Sequence, residues 1–109
     1  MEAAQTKYAK LEIFIPETHF PQLRQALQSV DAGHIGNYDS CLAYSRVTGS
    51  WRPLAGASPY DGTVGEVSEA EELKVELRVK AESVEETLAA IRAVHPYETP
   101  EIFVLPLWR

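Results

Sequence analysis

Two stretches of the chain alternate between apolar and polar residues. From Tyr8 to Ile15, Leu11, Ile13 and Ile15 alternate with Lys10, Glu12 and Phe14, and Pro16 follows. A period of two puts the aliphatic set on one face of a β-strand, and the proline ends it. Phe14 implies that part of the second face is covered as well. From Leu73 to Val79 the pattern is cleaner: Leu73, Val75, Leu77 and Val79 against Lys74, Glu76, Arg78 and Lys80. This predicts a second half-buried strand.

Each strand is followed by a helical pattern. Phe20, Leu23, Leu27 and Val30 recur at spacings of three and four, which is one face of a helix. Thr18 is the expected N-cap, Pro21 falls in the first turn, and Gly33 is the expected left-handed cap. In the second pattern, Ser83-Val84-Glu85-Glu86 reads as a capping box. Val84, Leu88 and Ile91 mark the buried face, and Pro96 ends the helix near Val94-His95.

Two further strands are weaker in pattern. Ser40 to Val47, with Leu42 and Tyr44, reads as one. Ile102 to Leu105, bracketed by Pro100 and Pro106, reads as an edge strand. Between the halves lies a Gly- and Pro-rich stretch, residues 48–65, with Trp51, Pro53, Leu54, Pro59, Tyr60 and Val64. A loop of that length in a compact domain either has a task or packs as its own ribbon.

The order is β-α-β, then β-α-β. Two right-handed crossovers onto one sheet give an α+β, ferredoxin-like sandwich with both helices on one face and a long loop between strands 2 and 3. The helices run antiparallel in that topology, so their C-terminal ends lie at opposite ends of the sheet. With Trp51, Tyr60, Phe103 and Trp108 available, the open face or the edges are expected to be covered by self-association, as a dimer or trimer.

Length and charge narrow this. At 109 residues the chain suits one domain, 1–109, with its core at about 8–107. Ten Lys and Arg face sixteen Asp and Glu, a formal charge of −6, which argues against a nucleic-acid partner. The N-terminal Met1–Lys7 lacks an apolar signal core, and no apolar run approaches the roughly 20 residues of a membrane helix. A cytoplasmic protein with no membrane partner is expected. The single cysteine, Cys41, forms no internal disulfide and reads as a small buried residue, of chemical interest only beside His34 with copper or zinc.

Three segments are candidates for chemistry. Gly33-His34-Ile35-Gly36-Asn37-Tyr38 follows the first helix: either a capped turn with His34 on the last carbonyls, or a bend that presents His34 and Tyr38 to a ligand or metal. His95-Pro96-Tyr97-Glu98 follows the second helix: either a stop signal with Tyr97 packed on the core, or a His95–Glu98 pair for a metal or a proton. Thr48–Pro53 and the loop beyond it offer Trp51 and Tyr60 as core, interface or ligand platform. His19 is expected to be exposed, and Glu66, Glu69, Glu71 and Glu72 to form a solvated charged face. Nucleophile elbows and phosphate loops are absent from the sequence.

These same three segments resemble the inserted domain of the Nif-three-like proteins, dinuclear-metal hexameric proteins also called NGG-interacting-factor homologues. The resemblance runs from about Lys10 to Leu107. The matching motif residues are Gly33, His34, Gly36, Tyr38, Gly49, Pro53, His95, Pro96, Tyr97 and Glu98. In larger members the domain sits between two lobes that hold the dinuclear metal, and neither lobe is represented here. The inserted domain is in turn similar to CutA and PII proteins, ferredoxin-like trimers, and His95–Ile102 resembles the corresponding CutA segment. CutA's association with copper tolerance implies a divalent ion, copper or zinc, as a candidate ligand.

The expectation is therefore a non-catalytic, oligomeric binding or regulatory domain. His34, Tyr38, Trp51 and Tyr97 are its ligand-binding candidates. His34, His95 and Glu98 are its metal candidates, joined across subunits if at all. A ligand-free protein-interaction module and a small enzyme with a His–Glu acid–base pair are the alternatives.

Overall fold

The computed structural model describes residues 6–108. The elements follow in the order β1 (Tyr8–Ile15), α1 (Phe20–Ser29), β2 (Ala43–Trp51), β3 (Ser68–Lys80), α2 (Val84–Val94) and β4 (Ile102–Leu107). They form one sheet in the order β2-β3-β1-β4, and every neighbouring pair is antiparallel. This is the ferredoxin-like arrangement expected from the sequence.

Register follows from the alternation. Leu11 lies opposite Leu77 and Ile13 opposite Val75, so the aliphatic rows of β1 and β3 coincide on one face. Leu23 and Leu27 of α1 and Leu88 and Ile91 of α2 complete the core on that face. A slip of one residue would turn the lysines and glutamates of both strands into this core, which fixes the pairing. Truncating Ile13, which is fully buried, would cost about 2–5 kcal/mol.

The other face is charged at its centre. Glu12 and Glu76 sit directly opposite each other, an arrangement that repels. Lys10 relieves it, reaching Glu12 at 3.1 Å and Glu76 at 2.6 Å, with Lys74 at 3.7 Å from Glu12. Phe14 and Phe103 meet edge to face at one end, and the Arg78 guanidinium covers Tyr8 at the other.

Four local expectations are corrected. First, β2 starts at Ala43 and runs on to Trp51, and β3 starts at Ser68, so the loop is 52–67 rather than 48–65. Thr48, Gly49 and Ser50 pair with Glu71, Ala70 and Glu69, beyond the last β1 partner, Leu73. No core lies under this projecting ribbon, so its polar sequence hid the strands. Second, Glu72 is 7% exposed and does not belong to a solvated face. Third, neither expected capping bond forms. A 3-10 turn precedes each helix; the N-cap of α1 is His19 rather than Thr18, that of α2 is Ser83 as expected, and neither side chain bonds the helix start. The Ser83 carbonyl instead accepts the Thr87 hydroxyl at 2.7 Å.

Fourth, α1 ends on Asp31, not Gly33. The N–H of Asp31 donates to Gln28 and that of Ala32 to Leu27, which is the Schellman pattern with Asp31 at the left-handed position, φ 55°. Gly33, φ 80°, serves the next step. Its N–H donates to the Arg78 carbonyl and its carbonyl accepts from Cys41, and a Cβ there would lie 2.9 Å from the Cys41 oxygen.

At the sheet's far end, Tyr8 opens β1 opposite Leu107, which closes β4.

Candidate ligand-binding site

Pro96 forces His95 out of helical geometry, so α2 stops and the chain turns across the end of β1. Two bonds hold it there. The His95 Nε2–H donates to the Phe14 carbonyl at 2.7 Å, and the Phe14 N–H donates to the Glu101 carbonyl at 3.3 Å. His95 Nδ1 accepts the Tyr97 N–H at 3.2 Å. One ring nitrogen donates and the other accepts, so the imidazole is neutral. Burial pushes its pKa below the ordinary histidine value, consistent with that state.

The turn delivers Tyr97 to the projecting ribbon. Its ring lies 4.9 Å from the His95 ring, and its hydroxyl donates to Glu72 Oε2 at 2.7 Å. Burial first, and then this bond and the Glu72 charge, raise the phenol pKa well above its usual range. Glu72 can tuck in because Gly49 stands across the ribbon, where any Cβ would collide with its carboxylate.

The loop 52–67 folds back over the ribbon. The Trp51 indole N–H donates to the Asp61 carbonyl at 3.0 Å, and the Gly65 N–H donates to the Pro53 carbonyl at 2.8 Å. Gly62, φ 110°, lies so near Trp51 and Ser68 that a Cβ would come within 3.1 Å of the indole nitrogen. Glu98 Oε2 accepts the Ser58 N–H at 3.0 Å, tying the loop to the His95 turn. Tyr60 stands 5.8 Å from Tyr97, and Trp51 6.3 Å from it, centroid to centroid. Between loop and turn lies a cavity of about 330 Å³.

Of the residues singled out in the sequence, Trp51, Tyr60, Tyr97 and Glu98 line this cavity, and His95 backs Tyr97. His34 and Tyr38 do not. The Gly33 turn is bonded to Arg78, whose β1 partner is Lys10, about 13 Å along the strand from Phe14 at 3.3 Å per residue. His34 donates from Nδ1 to Asp31 at 3.0 Å and from Nε2 to the Gly36 carbonyl at 2.8 Å. Tyr38 is 75% exposed, and its backbone closes a small bridge with Ile35. Among the described residues no group of three His, Cys, Asp or Glu side chains is placed to hold a metal ion.

Glu72 is the site residue that the sequence reading missed. The alternation of β3, continued back from Glu76 and Lys74, puts it on the open face beside Phe14. Seeing that required knowing that the strand extends so far.

The segment that supplies one wall of the cavity is also where a known family matches. The model of the CutA1 divalent ion tolerance proteins matches residues 58–109. A relative from Halalkalibacterium halodurans, named GTP cyclohydrolase 1 type 2 homolog, is 42% identical over 98 residues, 90% of this chain and 26% of the relative. A solved NIF3-related protein from Bacillus cereus superposes with a TM-score of 0.83 at 33% identity, over 95% of this chain and 26% of that one. Over nearly its whole length the chain is similar to one domain of NIF3-related proteins.

That domain spans about a quarter of the length of these relatives. Its fold recurs in CutA from Archaeoglobus fulgidus, a periplasmic divalent cation tolerance protein, at TM-score 0.69 and 17% identity over 94% of this chain and 85% of that one. It recurs in Bacillus subtilis GlnK at TM-score 0.66 and 24% identity, over 94% and 87% of the two chains. No helix among the described residues is long and apolar enough to cross a membrane.

Proposed function

We propose that this CutA/PII-like domain is a non-catalytic ligand-binding module whose site is the cavity between the 52–67 loop and the His95–Glu101 turn. One observation carries the reading. A polar contact, Tyr97 to Glu72, lies in the lining of a cavity that Trp51 and Tyr60 also line. Small-molecule sites have this character: mostly apolar and aromatic walls with a few fixed polar groups. Tyr97, Trp51 and Glu98 are its ligand-facing residues, and His95 is a positioning residue that sets the turn.

The residues favour binding over catalysis. Both nitrogens of His95 are spent, one on the Phe14 carbonyl and one on the Tyr97 amide, so neither is open to move a proton for a substrate. The same occupancy weakens the copper or zinc reading of His34, His95 and Glu98, since both His34 nitrogens are also engaged. A metal shared between subunits would have to break these bonds.

Self-association is part of the reading. The edge strand β4 exposes Phe103, Val104 and Leu105, with Trp108 just beyond, and such an edge is a ready surface for another copy. The test is a ligand screen on the purified protein by thermal shift, with nucleotides, copper and zinc among the probes, followed by titration of each hit against Trp51→Ala. A saturable ligand lost in that variant supports the site. Binding that Trp51→Ala leaves intact, or none by any probe, overturns it. Sedimentation should show a dimer or larger, and a monomer at all concentrations would remove the assembly from the reading.

A further inference from the structure

Resting on that reading of the cavity, we propose that its ligand is a small organic cation carrying an ammonium group. The first observation is Glu72. Its side chain is more than nine-tenths buried, and among the described residues it forms no ion pair. The Tyr97 hydroxyl serves Oε2, and Oε1 has no protein donor among those residues. Burying most of a carboxylate without a cation is costly, and the cavity that Glu72 lines is where a cation could reach it. A positive ligand would supply the missing countercharge.

The second observation is independent of charge count. Trp51, Tyr60 and Tyr97 line the same cavity, and aromatic faces attract cations through the negative charge on their π-clouds. Tryptophan and tyrosine are the strongest side chains for this. The third is the balance of the remaining lining. Asp61, Glu98 and Glu101 join Glu72 there, against one guanidinium, Arg52, and no lysine. An anionic ligand such as a nucleotide phosphate would meet repulsion on most sides.

Metal ions are a poorer match. They require several oxygen or nitrogen donors converging on one point, and no such group of three exists among the described residues. An alkylammonium needs only a charge and a face. Its bulk also suits a cavity of about 330 Å³ far better than a bare ion does.

The test uses the whole chain with Trp108→Phe, which leaves Trp51 as the only indole reporter. Choline and n-butylammonium are titrated beside their neutral shape mates, 3,3-dimethylbutan-1-ol and 1-butanol. At least one cation should bind saturably and roughly tenfold or more tighter than its mate. Glu72→Gln keeps the acceptor for Tyr97 and should weaken the cation roughly tenfold while leaving the mate unchanged. Its thermal midpoint without ligand should equal or exceed that of the parent, because a buried charge is removed; this separates lost binding from lost folding. Equal affinity for cation and mate, or indifference to Glu72→Gln, overturns the proposal. If neutral or anionic compounds bind and are lost in Trp51→Ala, the cavity stands as a site and the cation assignment falls. If no probe binds, both fall.

Discussion

The two histidine turns look alike in the sequence and are opposites in the structure. Each follows a helix and contains a histidine and a tyrosine. At the Gly33 turn, both His34 nitrogens face acceptors, the Asp31 carboxylate and the Gly36 carbonyl, so both bonds form together only when the ring is protonated. Asp31 first, then the Gly36 carbonyl, raise its pKa. At the Pro96 turn, His95 faces one acceptor and one donor, is neutral, and has its pKa lowered by burial. The first is an exposed staple that closes its own loop. The second joins distant parts of the chain and sets the cavity wall. A histidine's neighbours in space, not in sequence, decide its charge and its task.

The largest test of this contrast is truncation. His95→Ala strands the part-buried Phe14 carbonyl and the Tyr97 amide and should cost about 2–4 kcal/mol in urea unfolding, a drop of roughly 10 °C or more in midpoint. His34→Ala removes only exposed contacts and should leave the midpoint nearly unchanged. Equal losses would erase the distinction.

The glycines of the first turn come next. Gly33→Ala meets both a positive φ and the Cys41 carbonyl, and should cost about 2 kcal/mol or more. Gly36→Ala meets the φ alone, 59° with open space around the Cβ, and should cost about 1 kcal/mol. Denaturant melts of the pair check the order. At the second turn, Tyr97→Phe should cost about 1 kcal/mol through its bond to Glu72, whereas Tyr38→Phe should leave stability unchanged.

The sequence foretold the paired helices, the central strands and the separation of the turns, because those rest on periodicity and topology. Leu73–Val79 could hardly be anything but a half-buried strand. It could not foretell which turn builds a site. Tyr97 reaches Glu72 only because β2 and β3 run on as a ribbon past β1, and Thr48, Gly49 and Ser50 carry no hydrophobic period to announce it. The caps failed for a related reason: Ser83 had the right side chain, but a 3-10 turn ahead of α2 took over the start of the helix.

The smallest expected effect is in pH, and there the turns part in sign. His95 has a lowered folded pKa, so the unfolded chain binds the extra proton. Its contribution is present above the ordinary histidine pKa of about 6.5 and is lost as pH falls through and below that value. His34 has a raised folded pKa, so its contribution is full below about 6.5 and is lost as pH rises through the raised value. Between pH 8 and 5, therefore, His95→Gln should flatten the acid-side loss of stability, and His34→Gln should flatten the loss on the alkaline side. Matching slopes in the two variants would contradict the assigned ring states.

Tyr8 and Leu107 face each other across β1 and β4, so the strand that begins the domain and the strand that finishes it have neighbouring ends. A unit of this kind is portable. Spliced into a surface loop of another protein, it would leave the flanks of that loop only a strand spacing apart, about 5 Å, and the host could fold around it undisturbed. Relatives four times as long, in which a segment like this one takes up a quarter of the chain, are what such a plug-in geometry permits.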